Sequence, residues 1–144
     1  MTAPALSLPQ KLRYGAEAAL FLTFMGFFRL IGLDAASAVG GFIGRNIFAR
    51  TRVTARAREN LALAFPEKSV AEREAIIRSM WDNLGRVVAE YAHLDKFDLH
   101  GPDPRIRVEN VAEIEKIRGR GVLILCGHFA NWELMPIVAA ERGY

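Results

Sequence analysis

The fold prediction depends most on the stretch Gly121-Val-Leu-Ile-Leu-Cys-Gly-His-Phe-Ala-Asn-Trp-Glu133. Its first part, Val122–Cys126, is apolar throughout and lies between glycines, which is typical of a buried β-strand. Upstream, Ile106-Arg-Val108 alternates like a short strand, and residues 111–118 have helical spacing. A strand, a short helix and a buried strand form the opening unit of an α/β sheet. We therefore predict an α/β fold: a helical, membrane-associated N-terminal region, then the start of a sheet that is incomplete here.

His128 follows this run, where α/β proteins commonly build their sites. An imidazole can take a proton from a hydroxyl and return one to a leaving group, and a carboxylate can fix its tautomer. Glu133 is the nearest carboxylate, but residues five apart on a continuous helix diverge by roughly 140°. Pairing therefore requires His128 in a loop and a helix that begins near Ala130 or Asn131, with Asn131 as its N-cap. On the residues alone, a histidine that is hydrogen-bonded at a strand end is an equal alternative.

Other chemistries fit the sequence less well. Cys126 is the only cysteine, which excludes an internal disulfide, and a cysteine that closes an apolar strand is more often buried than nucleophilic. His93, His100 and His128 lack metal-ligand spacing, so we predict no metal site. The sequence pI is about 9.4, yet no nucleic-acid recognition motif accompanies the charge, and we predict no nucleic-acid partner.

The N-terminal region contains the apolar segment that suggests membrane contact. Residues 1–10 contain Pro4, Ser7 and Pro9 and are predicted to be a loose lead-in. Eleven uncharged residues run from 18 to 28, and the segment reaches position 33 if Arg29 is counted as a snorkelling residue. This is shorter than the ~20 residues of a membrane span, so a shallowly inserted helix is favoured. A buried core helix is the alternative.

Five arginines follow within fourteen residues, and we name them the arginine cluster: Arg45, Arg50, Arg52, Arg56 and Arg58. After an apolar segment, such a cluster is typical of the cytoplasmic side of a membrane with anionic lipids. A solvated helix face is nearly as good an interpretation. The small residues Ala36, Gly40 and Gly44 recur at every fourth position and predict close approach of another helix.

The rest of the helical region is marked by ordinary start and stop signals. Phe65-Pro66 ends one helix, and Ser69 with Glu72 predicts a capping box for the next. Apolar residues at spacings of three and four, from Ile77 to Tyr91, predict an amphipathic helix. We predict three segments, the last of which starts at the Gly101–Pro104 break: a lead-in and membrane-anchor helix over 1–33, a helical region with the arginine cluster over 34–100, and the beginning of an α/β catalytic domain over 101–144.

Three motifs in order resemble the bacterial lipid A biosynthesis late acyltransferases of the lauroyl/myristoyl type, within the lysophospholipid acyltransferase superfamily. They are residues 58–66 (Arg-Glu-Asn-Leu-Ala-Leu-Ala-Phe-Pro), residues 81–91 from Trp-Asp-Asn-Leu-Gly-Arg to Glu-Tyr, and residues 120–133 with His128 and Glu133. The resemblance covers nearly the whole chain. Members of that family are roughly twice as long, so we expect this chain to be the N-terminal portion of such an enzyme.

The resemblance implies an inner-membrane enzyme that moves a fatty acyl group from acyl carrier protein, or from coenzyme A, to a hydroxyl of a lipid A precursor. His128 would be the general base and Glu133 its orienting carboxylate, in the start of an acyltransferase α/β sheet. Asn131, Trp132, Arg50 and Arg52 are candidate substrate contacts. No cofactor is expected beyond the acyl donor, and the N-terminal helix would hold the protein at the cytoplasmic face of the bacterial inner membrane, on its phospholipid surface. The alternative hypothesis is a non-catalytic membrane-surface or interaction protein.

Overall fold

The computed structural model describes residues 6–100, 104–121, 123, 125, 127 and 130–143. Within these residues the regular structure is entirely helical. The α-helices are α1 (Leu8–Ile31), α2 (Leu33–Asn46), α3 (Ala55–Ala64), α4 (Val70–Glu90), α5 (Val111–Glu115) and α6 (Leu134–Glu141). Short 3₁₀ helices at Phe48–Arg50, Arg52–Thr54 and Tyr91–Lys96 complete the N-terminal part.

The α/β prediction is wrong for the part of the chain that the structure describes. Residues 106–108 are not a strand, and the described members of the apolar run, Leu123 and Leu125, are 85% and 87% exposed. The other members of the run, Val122, Ile124 and Cys126, lie outside the described residues. A strand is stable only when neighbours take up its backbone hydrogen bonds, and these two leucines have no such neighbour among the described residues. The apolar run alone therefore did not establish a sheet.

Helix α1 begins earlier than the sequence predicted. Ser7 starts it: its backbone N–H donates to Gln10 Oε1 at 2.9 Å, and Pro9 lies in the first turn, where no amide donor is needed. The predicted loose lead-in is therefore helical from Leu8. The 24 residues of α1 make it about 36 Å long, and it is long and apolar enough to cross a membrane by length and composition. Only 6% of its most apolar window is buried, so it is not a buried core helix of the described structure.

The C-terminal end of α1 is fastened to the 3₁₀ helix Tyr91–Lys96. Arg29 donates through both terminal nitrogens to the Asp95 carboxylate, and Nη1 also donates to the Ala92 carbonyl at 2.7 Å. The buried imidazole of His93 lies 2.9 Å from the Phe28 carbonyl through Nε2. Phe28 itself is 2% exposed and packs in the core cluster. We name these contacts the α1 clamp.

Helices α2 and α4 pack in direct backbone contact. A Cβ atom at Gly40 would overlap the carbonyl oxygen of Gly85, and one at Gly44 would overlap that of Trp81. Gly85 is equally restricted by Gly40. The predicted close approach at the small residues of α2 is confirmed, and the partner is α4. Ala36 is fully buried in the core cluster, as is Ala89 of α4.

Helix α4 has the predicted start. Glu72 N–H donates to Ser69 Oγ at 3.3 Å, and Ser69 N–H donates to Glu72 Oε2 at 2.7 Å, which is a complete capping box. Trp81 lies half-buried on this helix, where its Nε1 donates to Thr54 Oγ1 at 2.9 Å and its ring stacks on Phe48. The 3₁₀ turns between α2 and α3 are thereby packed onto α4.

Candidate active site

Of the predicted dyad, the structure describes Glu133 but not His128. His128 lies outside the described residues, so its distance to Glu133 stays untested. Glu133 is half-buried and immediately precedes α6, in helical backbone conformation. A carboxylate at the N-terminal end of a helix is electrostatically favoured there.

Glu133 faces Tyr91, the residue that follows α4. Burial raises the pKa of the Tyr91 phenol, and the negative charge of Glu133 raises it further. The carboxylate and the phenol are therefore close enough to interact electrostatically. Trp132 is also half-buried, and its carbonyl accepts a hydrogen bond from the Met135 amide at 3.1 Å. This bond belongs to the turn that leads into α6.

Asn131 does not cap α6 as the sequence predicted. The helix begins three residues later, at Leu134, whose amide donates to the Asn131 carbonyl at 3.1 Å. The side chain of Asn131 instead donates from Nδ2 to Glu90 Oε2 at 3.1 Å. This hydrogen bond joins the predicted catalytic segment to α4.

Glu90 belongs to a polar network on the packed faces of α2 and α4. Its other oxygen, Oε1, accepts from Ser37 Oγ at 2.8 Å, and that hydroxyl accepts from Arg86 Nη1 at 3.3 Å. Arg86 Nε donates to Asp82 Oδ2 at 2.7 Å, while Arg45 donates to the other oxygen of Asp82. These bonds lower the pKa of Asp82, chiefly the one from Arg86, so it stays ionised at neutral pH.

The residues of this network were not predicted as functional from the sequence. Glu90, Arg86 and Asp82 belong to the second of the three family-like motifs, at positions 81–91, but no role was assigned to them. Ser37 stands in none of these motifs. The only sequence signal was the motif itself, because the partner Asn131 is 41 positions from Glu90.

The arginine cluster is divided between two uses. Arg45 pairs with Asp82, and Arg58 pairs with Glu74 of α4 and donates to the Ala49 carbonyl at 3.2 Å. These two arginines hold helices together. Arg50, Arg52 and Arg56 are exposed and have no hydrogen-bond or ion-pair partner among the described residues. They are the members of the cluster that are available to an anionic surface.

Arg50 and Arg52 are not brought to Asn131 and Trp132 by any contact in the described residues. They lie in the 3₁₀ turns that pack on α2, α3 and α4. Within the same described part of the chain, no group of three or more His, Cys, Asp or Glu side chains is arranged to hold a metal ion.

The bacterial lipid A biosynthesis acyltransferase family model matches residues 7–143. The chain belongs to this family, and the resemblance stated from its motifs is confirmed. The match includes both His128 and Glu133.

The chain is also similar to named members of that family. It is 33% identical over 93 residues to the lipid A biosynthesis myristoyltransferase of Escherichia coli (strain K12). This alignment covers 61% of the chain and 28% of that protein. It is 32% identical over 104 residues to the lipid A biosynthesis palmitoleoyltransferase of the same organism. This alignment covers 65% of the chain and 33% of that protein. Lipid A biosynthesis acyltransferase 1 of Shigella flexneri matches at 33% identity over 93 residues. The matched segments span about a third of these relatives' length, and no solved structure matches the chain.

Proposed function

We propose that the protein is an O-acyltransferase that moves a fatty acyl group from an acyl carrier protein or coenzyme A thioester to a hydroxyl of a lipid A precursor. The observation that supports this most is the family match over residues 7–143, which includes the His128–Glu133 motif. The names of the similar E. coli proteins, a myristoyltransferase and a palmitoleoyltransferase of lipid A biosynthesis, support the same reaction class. No cofactor is proposed beyond the acyl donor.

The proposed chemistry is general-base catalysis. The His128 imidazole takes the proton of the acceptor hydroxyl as its oxygen attacks the thioester carbonyl carbon, which forms a tetrahedral oxyanion. The intermediate collapses, the carbon–sulfur bond breaks, and the imidazolium returns the proton to the leaving thiolate. The products are an oxygen ester and a free thiol, so atoms and charge balance.

Glu133 is proposed to orient the imidazole and stabilise its protonated form. The carboxylate stands immediately before α6, where the N-terminal end of a helix favours a negative charge. Asn131 and Trp132 directly precede it in the chain and are proposed to line the same site.

The proposed location is the cytoplasmic face of the bacterial inner membrane. Helix α1 has the length and composition of a membrane span, and exposed apolar side chains such as Leu20 (73%) and Leu22 (67%) would face lipid. Arg50, Arg52 and Arg56 carry unpaired positive charge in the segment that follows α2. These cations are proposed to bind phosphates of anionic lipid, the lipid A precursor included.

The test is acyl transfer by the protein at its native length, in membranes, with a lipid A precursor and acyl carrier protein thioester. We expect His128→Ala to lower kcat by about 10²- to 10⁴-fold, because general-base catalysis contributes that much. Glu133→Gln should lower kcat less than His128→Ala does, because Gln keeps the shape of the side chain and loses only its charge. His100→Ala is the matched control, since its side chain is 73% exposed and outside the motif.

The competing hypothesis is a non-catalytic membrane-surface protein. It predicts no measurable transfer by the wild type or by His128→Ala, together with unchanged membrane binding in both. A wild type that transfers with either thioester, and a variant that does not, would exclude it.

A further inference from the structure

Glu90 ends α4 and contacts the segment that joins His128 to Glu133. Its Oε2 accepts a hydrogen bond from Asn131, which stands three residues after His128 and two before Glu133. Its Oε1 accepts from Ser37 of α2. Both oxygens of one carboxylate are therefore engaged, one by the helical region and one by the predicted catalytic segment.

The contact fixes the orientation of the Asn131 amide. An ionised carboxylate can only accept hydrogen bonds, so the amide must turn its Nδ2 towards Glu90 and its Oδ1 away from it. Asn131 Oδ1 is buried and has no hydrogen-bond partner among the described residues. Turning the amide over would place Oδ1 against the Glu90 carboxylate, so the hydrogen bond to Glu90 sets this orientation even though it leaves Oδ1 without a described partner.

The backbone beside Asn131 is strained. Ala130 has a φ of 48°, in the left-handed region that residues with a Cβ atom rarely adopt. Such conformations persist where the surrounding structure holds them, and they concentrate at functional sites. The side chain of the next residue, Asn131, makes the hydrogen bond that ties this turn to α4.

Glu90 is itself held in place. Ser37 Oγ, which donates to it, accepts from Arg86, and Arg86 is fixed by Asp82. These residues lie on α2 and α4, whose backbones are in direct contact at Gly40 and Gly85, where neither position has room for a Cβ atom. The carboxylate is thus presented from the most tightly packed part of the described structure.

We propose that Glu90 is a positioning residue of the acyl-transfer site. Through Asn131 it holds the turn over residues 130–133, which carries Glu133, the proposed partner of His128. The inference rests on the proposed function, and it assigns no contact with substrate to Glu90.

The test reverses the polarity of the hydrogen bond in the protein at its native length. Asn131→Asp places a second carboxylate against Glu90, and like charges at this distance raise the pKa of one of them. Arg86 reaches Glu90 through Ser37 and is itself paired with Asp82, and Glu133 stands two residues after Asn131. We expect the kcat of Asn131→Asp to be about a hundredfold below that of the wild type at alkaline pH. The ratio of the two kcat values should rise towards one at mildly acidic pH, where the pair of carboxylates takes up a proton.

The double variant Glu90→Gln, Asn131→Asp restores one donor and one acceptor in exchanged positions. We expect its kcat to return to within about tenfold of wild type and its ratio to wild type to lose the pH dependence. Glu67→Gln, an exposed glutamate in the turn before α4, is the control and should leave kcat unchanged. KM should change less than kcat throughout, because the proposed effect of both substitutions is on how the turn orients the dyad.

His128→Ala in the same series separates the two hypotheses. If wild type transfers, His128→Ala does not, and the double variant is no better than Asn131→Asp, the proposed function stands and the role of Glu90 is wrong. If Asn131→Asp loses activity equally at all pH values, the role is also wrong. If the wild type transfers no acyl group from either thioester, both proposals are wrong.

Discussion

Arg29 and Asp95 are 66 positions apart in the sequence and form the main ion pair of the α1 clamp. Hydrogen bonds from Arg29 lower the pKa of Asp95 to about 2, from an ordinary value of 3.8. A carboxyl whose pKa is depressed on folding stabilises the folded state above its unfolded pKa, and the contribution disappears as pH falls through the folded value. Both side chains are half exposed, so solvent screening keeps the contribution modest.

We therefore expect Asp95→Asn to lower the free energy of unfolding at neutral pH. The deficit should be constant well above pH 3.8 and shrink as pH falls towards about 2, where half of the wild-type carboxyl is protonated. Denaturant titrations of both proteins in detergent across this range measure it. A deficit that persists undiminished at about pH 2 would show that the charge of Asp95 is not the cause.

At this same scale, the sequence predicted residue types better than partners. The His128–Glu133 dyad stays a prediction, while Arg50, Arg52 and Arg56 are exposed and unpaired among the described residues, as a surface interpretation requires. Arg45 and Arg58, however, bind Asp82 and Glu74. Nothing in the local pattern distinguishes a paired arginine from a free one, since the partner lies on another helix.

The glycines of α2 and α4 determine how these two elements pack. A methyl group at Gly44 would overlap the backbone carbonyl of Trp81, which cannot move without displacing α4. We expect Gly44→Ala to destabilise the protein by about 1–3 kcal/mol, in spite of the better helix propensity of alanine.

The control for that substitution is Gly15→Ala in α1. No atom lies within 4 Å of a Cβ built at Gly15, so this change should be neutral or slightly stabilising. Thermal unfolding followed by circular dichroism compares the two. Equal melting temperatures for Gly44→Ala and wild type would mean that α2 and α4 can separate at no cost.

Helical elements were predictable where the signals are local. The capping box at Ser69 and the small residues of α2 act within a few positions of themselves, and both predictions are confirmed. The predicted strand over residues 122–126 depended on something non-local, a neighbour to pair with. Leu123 and Leu125 are exposed and unpaired in the described structure, so an apolar run by itself was insufficient. The start of α6 was misplaced because Asn131 binds Glu90 and does not cap the helix.

For the whole molecule, the proposed anchor is the feature that most affects behaviour in cells. We expect removal of residues 1–33 to release the protein from membranes, because α1 supplies the long apolar surface. Sedimentation of membranes and immunodetection of the pellet and supernatant measure this. If the shortened protein still sediments with membranes, the anchor assignment is wrong.

That deletion also removes Phe28 from the core, so a milder variant is needed. Leu20→Lys with Leu22→Lys places two charges on exposed positions of α1 and leaves the core cluster intact. It should also release the protein, whereas Leu63→Lys, at an 82% exposed position of α3, should not. A further variant replaces Arg50, Arg52 and Arg56 by Gln. If this variant alone releases the protein, these arginines and not α1 hold it on the membrane.

The α1 clamp has a geometric consequence for catalysis. It joins the last turn of α1 to the 3₁₀ helix Tyr91–Lys96, and this segment follows Glu90 without a linker. With α1 in the bilayer, as proposed, the α1 clamp would set the height of the end of α4 above the lipid headgroups. In the proposed reaction the acceptor hydroxyl would then reach that height by diffusing in the plane of the membrane, and its distance from the bilayer would become a criterion of selection in its own right.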